Sequence, residues 1–412
     1  MKMHWNSLLL AALTVGSTYG GVIQKRSFPY GSRPVRGVNL GGWLVLEPWI
    51  TPSIFQQFPA GQVVDEYTLG QQPNAADILK AHWSTWATLA DFQKIADNGF
   101  NLVRIPCGYW AFQKYESDTY VTGAADYLDL AIGWARQTGL QVWIDLHGAP
   151  SSQNGFDNSG QRTGTPEWTS GSSVSATEDV IRIIAQKYAQ PAYDDVVAGI
   201  ELLNEPLMSS LPGGRAGTQA FYQDSFNIVR ETGQTSVIFH DGFATPNTWN
   251  GFLTGSGGQG ALVDHHEYQV FSNADVALTP EEHAAAVQGR TESWGTGQDK
   301  FLFCGEWSAA MTDCAAALNG YGIGARYDGT YSKQNPDGSY SSSTFVGSCG
   351  SINYIDQWTE YNKTSTTNYI QAQITSFESM TQGWVFWNFK TEASAEWDLF
   401  RLIDAGVWPK LS

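Results

Sequence analysis

Short apolar runs of four to seven residues recur along the chain, separated by longer stretches in which apolar positions return every three or four residues. The runs fall at residues 35–40, 102–105, 142–146, 197–203, 237–240, 262–265, 301–304 and 384–389. They are nearly continuous rather than alternating, as strands covered on both faces require. Amphipathic stretches between them predict helices over 83–98, 126–138, 177–188, 218–232, 280–288 and 366–380. Gly99 and Gly139 stand just past two of these, where a left-handed cap favours glycine. Eight strands alternating with helices, and no linker between them, predict an α/β fold: a single (β/α)8 TIM barrel with its active site at the C-terminal ends of the strands. A doubly wound open sheet is the alternative architecture.

Two loop-rich segments follow predicted strands, 151–171 after the third and 321–351 after the seventh, both full of Gly, Ser, Asn and Tyr. Loops after barrel strands lie on the face where sites are built, so these are candidate pocket walls. Gly255-Ser256-Gly257-Gly258-Gln259-Gly260 has only the composition of a phosphate-cradling loop and reads as a flexible turn.

The candidate chemistry sits where the runs stop. Ile200-Glu201-Leu202-Leu203-Asn204-Glu205-Pro206 ends in an amide, an acid and a proline that cannot continue a central strand. Phe301-Leu302-Phe303-Cys304-Gly305-Glu306-Trp307 presents a second acid in the same way. Arg104, His147, His265 with His266, Tyr268 and Trp387 end or follow other runs, so a barrel would gather all of them on one rim.

Glycoside hydrolysis needs two carboxylates, one protonated to donate to the leaving oxygen and one ionised to attack or to activate water. Glu205 and Glu306 are the candidates. Asn204 is placed to hydrogen-bond a sugar 2-hydroxyl. Arg104 and Tyr268 are expected to hold Glu306 ionised, while burial of Glu205 beside a second carboxylate is expected to raise its pKa. The rival chemistry is a metal held by His147, His265 and His266 with an acid. Asp264-His265-His266-Glu267 is contiguous, however, and neighbours along a strand point to opposite faces, which argues against it. His147 and His266 then read as hydrogen-bonding groups for sugar hydroxyls or the carboxylates, and His265 and His240 as core histidines.

Composition narrows the classes. A net charge of -17 and a pI near 4.7 disfavour nucleic acid and anionic membrane surfaces as partners. The 17 Trp, 18 Tyr and 20 Phe supply a large core and leave aromatic faces for flat apolar ligands such as sugar rings. Residues 1–20 read as a signal peptide, 21–26 as a short propeptide ending in the dibasic Lys25-Arg26, and 27–412 as the catalytic domain. No apolar run reaches the roughly 20 residues that a spanning helix needs. Of four cysteines, Cys314 and Cys349 flank a loop-like region and are the candidate disulfide, with Cys107 and Cys304 unassigned and no C-x-x-C metal spacing. Asn362-Lys363-Thr364 is a candidate glycosylation acceptor at Asn362.

Longer motifs carry a family resemblance. Residues 36–49 (RGVNLGGWLVLEPW), Leu146-His147-Gly148-Ala149-Pro150, Gln153-Asn154-Gly155-Phe156-Asp157, Leu203-Asn204-Glu205-Pro206 and Cys304-Gly305-Glu306-Trp307-Ser308 resemble the fungal exo-β-1,3-glucanases of glycoside hydrolase family 5. The resemblance spans nearly all of the chain after residue 26. It implies a retaining, cofactor- and metal-independent monomer, secreted or associated with the cell wall, that releases glucose from the non-reducing ends of laminarin-like β-1,3-glucans. It implies Glu205 as acid/base, Glu306 as nucleophile, and Arg104, His147, Asn204, His266, Tyr268 and Trp387 as site positions. Phe156 and Phe271 match a phenylalanine pair that clamps the sugar at the entrance, and Glu47 an acid that binds hydroxyls of the terminal glucose. A Gly/Ser/Tyr-rich insertion at 327–351 departs from the pattern and bears on pocket depth. An endo-β-glucanase or glucan transglycosylase on the same scaffold, and a non-catalytic wall-glucan-binding protein, are the alternatives.

Overall fold

The computed structural model describes residues 28–254, 260–335 and 337–411. The leader and propeptide expected at 1–20 and 21–26 lie outside the described residues, as does most of the glycine-rich turn at 255–260.

Eight parallel strands close a barrel. They are β1 (Val35–Asn39), β2 (Leu102–Gly108), β3 (Gln141–Gly148), β4 (Val197–Glu201), β5 (Ser236–His240), β6 (Ala261–His266), β7 (Phe301–Glu306) and, after an exposed hairpin of β8 (Ser332–Gln334) and β9 (Tyr340–Ser342), β10 (Gly383–Phe386). Each of the eight apolar runs became a barrel strand, and the ring closes through the pairing of β1 with both β2 and β10. The open-sheet alternative is thereby excluded.

Boundaries moved for local reasons. The helix predicted over 83–98 is two, Ala75–Trp86 and Leu89–Asp97. The break lies at Thr88, whose hydroxyl caps the Asp91 amide while the Asp91 carboxylate accepts from the Thr88 amide at 2.8 Å. That reciprocal cap is an N-terminus signature that hydrophobic spacing alone overruns. The helix predicted at 280–288 continues to Trp294, and four others begin earlier than expected, at Ala124, Ser173, Gly214 and Glu360. Gly99 and Gly139 both take the left-handed conformation, with φ of 86° and 78°.

The barrel interior changes character along its axis. At the N-terminal end Leu102, Trp143, Ala198, Ile238, Leu262, Phe303 and Val385 form an apolar cluster that includes Phe28, with Tyr30 packed against it. One pleat higher on the same face the residues are Arg104, Asp145, His240 and Asp264, all fully buried. Gly305 makes that polar layer possible. A Cβ there would lie 2.1 Å from both carboxylate oxygens of Asp264, whereas the Gly305 amide donates to Asp264 Oδ1 at 2.7 Å.

Cys314 and Cys349 are joined in a disulfide, and Cys107 and Cys304 are buried thiols. Asn362 lies in the first turn of helix Glu360–Met380, where its amide oxygen accepts from Thr359. Among the described residues no helix is long and apolar enough to cross a membrane.

Candidate active site

Arg104 is the hub of the rim. On β2 and without solvent exposure, its guanidinium donates through Nε to Glu201 Oε2 (2.7 Å), through Nη1 to Asn39 Oδ1 and Glu306 Oε1 (both 3.0 Å), and through Nη2 to Asn204 Oδ1 (2.8 Å). Asp145 Oδ2 lies 3.1 Å from Nη2. A planar fork with five donors suits such convergence, whereas an ammonium could not reach so many acceptors. Burial presses the carboxylates toward their neutral forms despite this cation, with Asp145 pushed up to about 7 and Glu201 to about 8.

Glu205 and Glu306 face one another across His266. Pro206 stops the run begun by β4, though ladder pairing persists past its end through Leu202 N–H to Ile238 O (2.9 Å) and Asn204 N–H to Leu146 O (2.9 Å). Glu205 itself has φ of 46°, a left-handed conformation that few side-chain-bearing residues adopt. His266 Nδ1 is 2.7 Å from Glu205 Oε1 and 3.4 Å from Glu306 Oε2, so these two oxygens are no more than about 6 Å apart. Tyr268 donates its hydroxyl to Glu306 Oε2 at 2.9 Å, and Asn158 Nδ2 donates to Glu205 Oε2 at 3.3 Å.

The protonation pattern reverses the one expected from sequence. Burial raises Glu306 to about 7, against the opposing charges of His266 and Arg104. Burial acts on Glu205 as well, but the hydrogen bond and charge of His266 outweigh it and hold Glu205 below its ordinary value. The reason lies in partners that sequence could not assign. Arg104 is divided among several acceptors rather than reserved for Glu306, whereas the closest contact of His266 is to Glu205. His266 is itself held protonated, since Glu306, Asp264 and Glu205 together overcome the cost of its burial.

The other predicted positions fall around this pair. His147 Nδ1 contacts Asp145 Oδ2 at 2.6 Å and its ring stacks on Trp387 at 5.5 Å and 15°, leaving Nε2 toward Asn204 Nδ2 at 3.5 Å. Burial, then the charge of Arg104, pushes His147 down to about 3, so it is neutral. Glu47 accepts from Trp49 Nε1 at 2.8 Å; burial and then the charge of Asp157 raise its pKa well above the usual range. Phe271 is exposed and meets the Tyr268 ring edge-on at 5.6 Å, on the Glu306 side. Phe156, also exposed, begins the turn that carries Asn158 to Glu205.

The histidine alternation holds. His266 points inward with Asp264, while His265 points outward to Asp241 Oδ2 (2.6 Å), Glu267 (3.7 Å) and the Trp294 ring (4.3 Å). His265 is therefore a charged partner of two acids, held up at about 9 despite its burial, rather than a neutral core residue. His147, His265 and His266 do not converge as a metal triad. Ligand-type atoms do cluster in Glu205, His240 and His266, and in Glu201, Asp264 and His266. Both sets depend on His266, whose nitrogens already engage Glu205 and Asp264.

Asn39, Asp145, Glu201, Asp264 and Asn158 complete the site without having been among the candidates. Two of these had a readable signal: Asp145 and Asp264 each stand two residues before a singled-out histidine, hence on the same strand face. Glu201 lay inside an apolar run and gave none.

Two carboxylates this close on the C-terminal rim of a (β/α)8 barrel are the arrangement of a retaining glycosidase. Residues 69–336 match the family model described as Cellulase (glycosyl hydrolase family 5), and the chain belongs to that family. It is 45% identical to the glucan 1,3-beta-glucosidase of Blumeria graminis over 99% of this chain and 95% of that one. It is 44% identical to the glucan 1,3-beta-glucosidase of Lachancea kluyveri over 94% of this chain and 89% of that one. Among solved structures, rutinosidase from Aspergillus niger matches with a TM-score of 0.71 over 93% of this chain and 100% of that one, at 20% identity, a likeness of fold.

Proposed function

We propose that this chain is a secreted glucan 1,3-β-glucosidase, releasing single glucose units from the non-reducing ends of β-1,3-glucans with retention of configuration. The observation that carries the reading is the pair Glu205 and Glu306 held on one histidine within about 6 Å, close to the retaining separation and too near for an inverting enzyme's intervening water. Glu306 attacks the anomeric carbon as Glu205 gives its proton to the departing glucan oxygen. Water then adds to the same carbon, losing a proton to Glu205 and displacing Glu306. Asn204 reads the sugar 2-hydroxyl, Trp387 and His147 line the sugar plane, and Glu47 holds hydroxyls of the terminal glucose. One chain supplies every group, so a monomer suffices, and residues 1–26 serve as the removed leader.

Digestion of laminarin followed by proton NMR tests this. Glucose is expected as the sole early product, appearing first as the β-anomer. Mixed oligosaccharides would favour the endo or transferring alternative, and α-glucose first would end the retaining mechanism.

The pH profile follows from the pair taken together. It holds one proton between the lowered value of Glu205 and the value near 7 of Glu306. His266 touches both acids, and hydrolysis requires that proton on Glu205. Activity should therefore be bell-shaped, falling on the alkaline side near pH 7 as the last proton leaves, and on the acid side below the usual glutamate range as Glu306 can no longer ionise. A kcat/KM profile on an aryl β-glucoside that stays flat to pH 9 would contradict it.

A further inference from the structure

The insertion at 327–351 is not used by the reaction, yet the fold fixes it beside the pocket. Its root is rigid. Asp313, fully buried, accepts from the backbone amides of Arg326 (2.8 Å) and Tyr327 (3.0 Å) and from the side chains of Asn319 and Arg326. The disulfide between Cys314 and Cys349 closes the excursion, and Tyr327 packs against the cluster of Trp49, Trp387 and Trp397, as Tyr268 does.

From this root rises the β8–β9 hairpin, and every one of its strand residues is exposed. A two-stranded ribbon with no buried face is marginal by itself. One contact ties it to the active-site rim: Asn273 Nδ2 donates to the Ser342 carbonyl at 3.1 Å, and Asn273 lies two residues past Phe271. Ser342 and Tyr340 are two apart on β9 and so share a face. That bond sets β9, which carries Tyr340, beside the loop that carries Phe271.

Tyr340 is 63% exposed and Phe345, three residues beyond the strand, is 70% exposed. Neither contributes to the core. Residues 338–351 contain no charged side chain and six serines, in a protein whose net charge is -17. Bare aromatic rings among neutral hydroxyls suit a neutral polyhydroxylated chain with apolar sugar faces.

We propose that Tyr340, seconded by Phe345, is a stacking platform for the leaving-side portion of a β-1,3-glucan, a few glucosyl residues beyond Phe271. The inference rests on the glucosidase reading. It makes the insertion a device for preferring long substrates over short ones.

The test compares laminaribiose and an aryl β-glucoside with laminarihexaose for Tyr340→Ala and the double variant Tyr340→Ala/Phe345→Ala. On the short substrates, kcat/KM is expected to stay within about twofold of wild type. On laminarihexaose it is expected to fall about three- to tenfold, chiefly through KM, with Tyr340→Trp restoring it. Equal loss at every length, or no loss at any, overturns the platform. Wild-type protein inactive on all laminari-oligosaccharides would overturn the glucosidase reading instead, which separates the two failures.

Discussion

Glu306→Gln is expected to lower turnover on laminarin on the order of 10⁴-fold or more while leaving the chain folded. A glutamine keeps the shape and can still accept from Arg104, but it cannot form the glycosyl ester on which a double displacement depends. Retention of a tenth of wild-type activity would remove Glu306 from the nucleophile role. Azide separates it from Glu205. In Glu306→Ala, azide can enter the vacated face, displace an activated leaving group once, and yield the α-glucosyl azide. In Glu205→Ala the ester still forms and azide replaces water in the second step, so the product is β. Identical anomers from both variants would show that the two acids do not divide the work as proposed.

Arg104→Met carries the second large effect, on stability as well as on rate. Removing the guanidinium leaves Asp145, Glu201 and Glu306 buried without their shared cation, a loss of about 3–5 kcal/mol by analogy with other broken buried ion pairs. The sign of its pH dependence follows from the acids. Asp145 near 7 and Glu201 near 8 lie above the values of an unfolded chain, so the folded state binds more protons and loses stability as pH rises from about 4 to about 8. Without Arg104 both would rise further, so the variant should be destabilised more at pH 8 than at pH 5. Unfolding midpoints at those two pH values check this, and a variant as stable as wild type at both would sink the hub role. Arg104→Lys should recover little, since one ammonium cannot serve acceptors on five residues.

Both predictions depend on contacts of different legibility. The sequence named Arg104, Glu205, Glu306 and His266 because they interrupt or end apolar runs, and a strand end is a visible event in one dimension. It could not say that Arg104 is shared with Glu201 and Asp145, residues 97 and 41 positions away, because such pairing follows from ring closure and strand register. The reversed tuning of the acids is one cost of that blindness. The missed helix break at Thr88 is of another kind, since its cap was present in the sequence but masked by uninterrupted amphipathic spacing.

By itself, then, the sequence determined the eight strands, their closure into one barrel, the rim on which the acids stand and the family, because each of these is written in local periodicity or in contiguous motifs. Only the tertiary structure decided in which direction its surroundings push each acid, which histidine bridges the pair, and where the Tyr340 hairpin stands relative to Phe271. Those properties belong to distances between strands and loops far apart in the chain, and electrostatic and stacking forces act through distance in space rather than along the backbone.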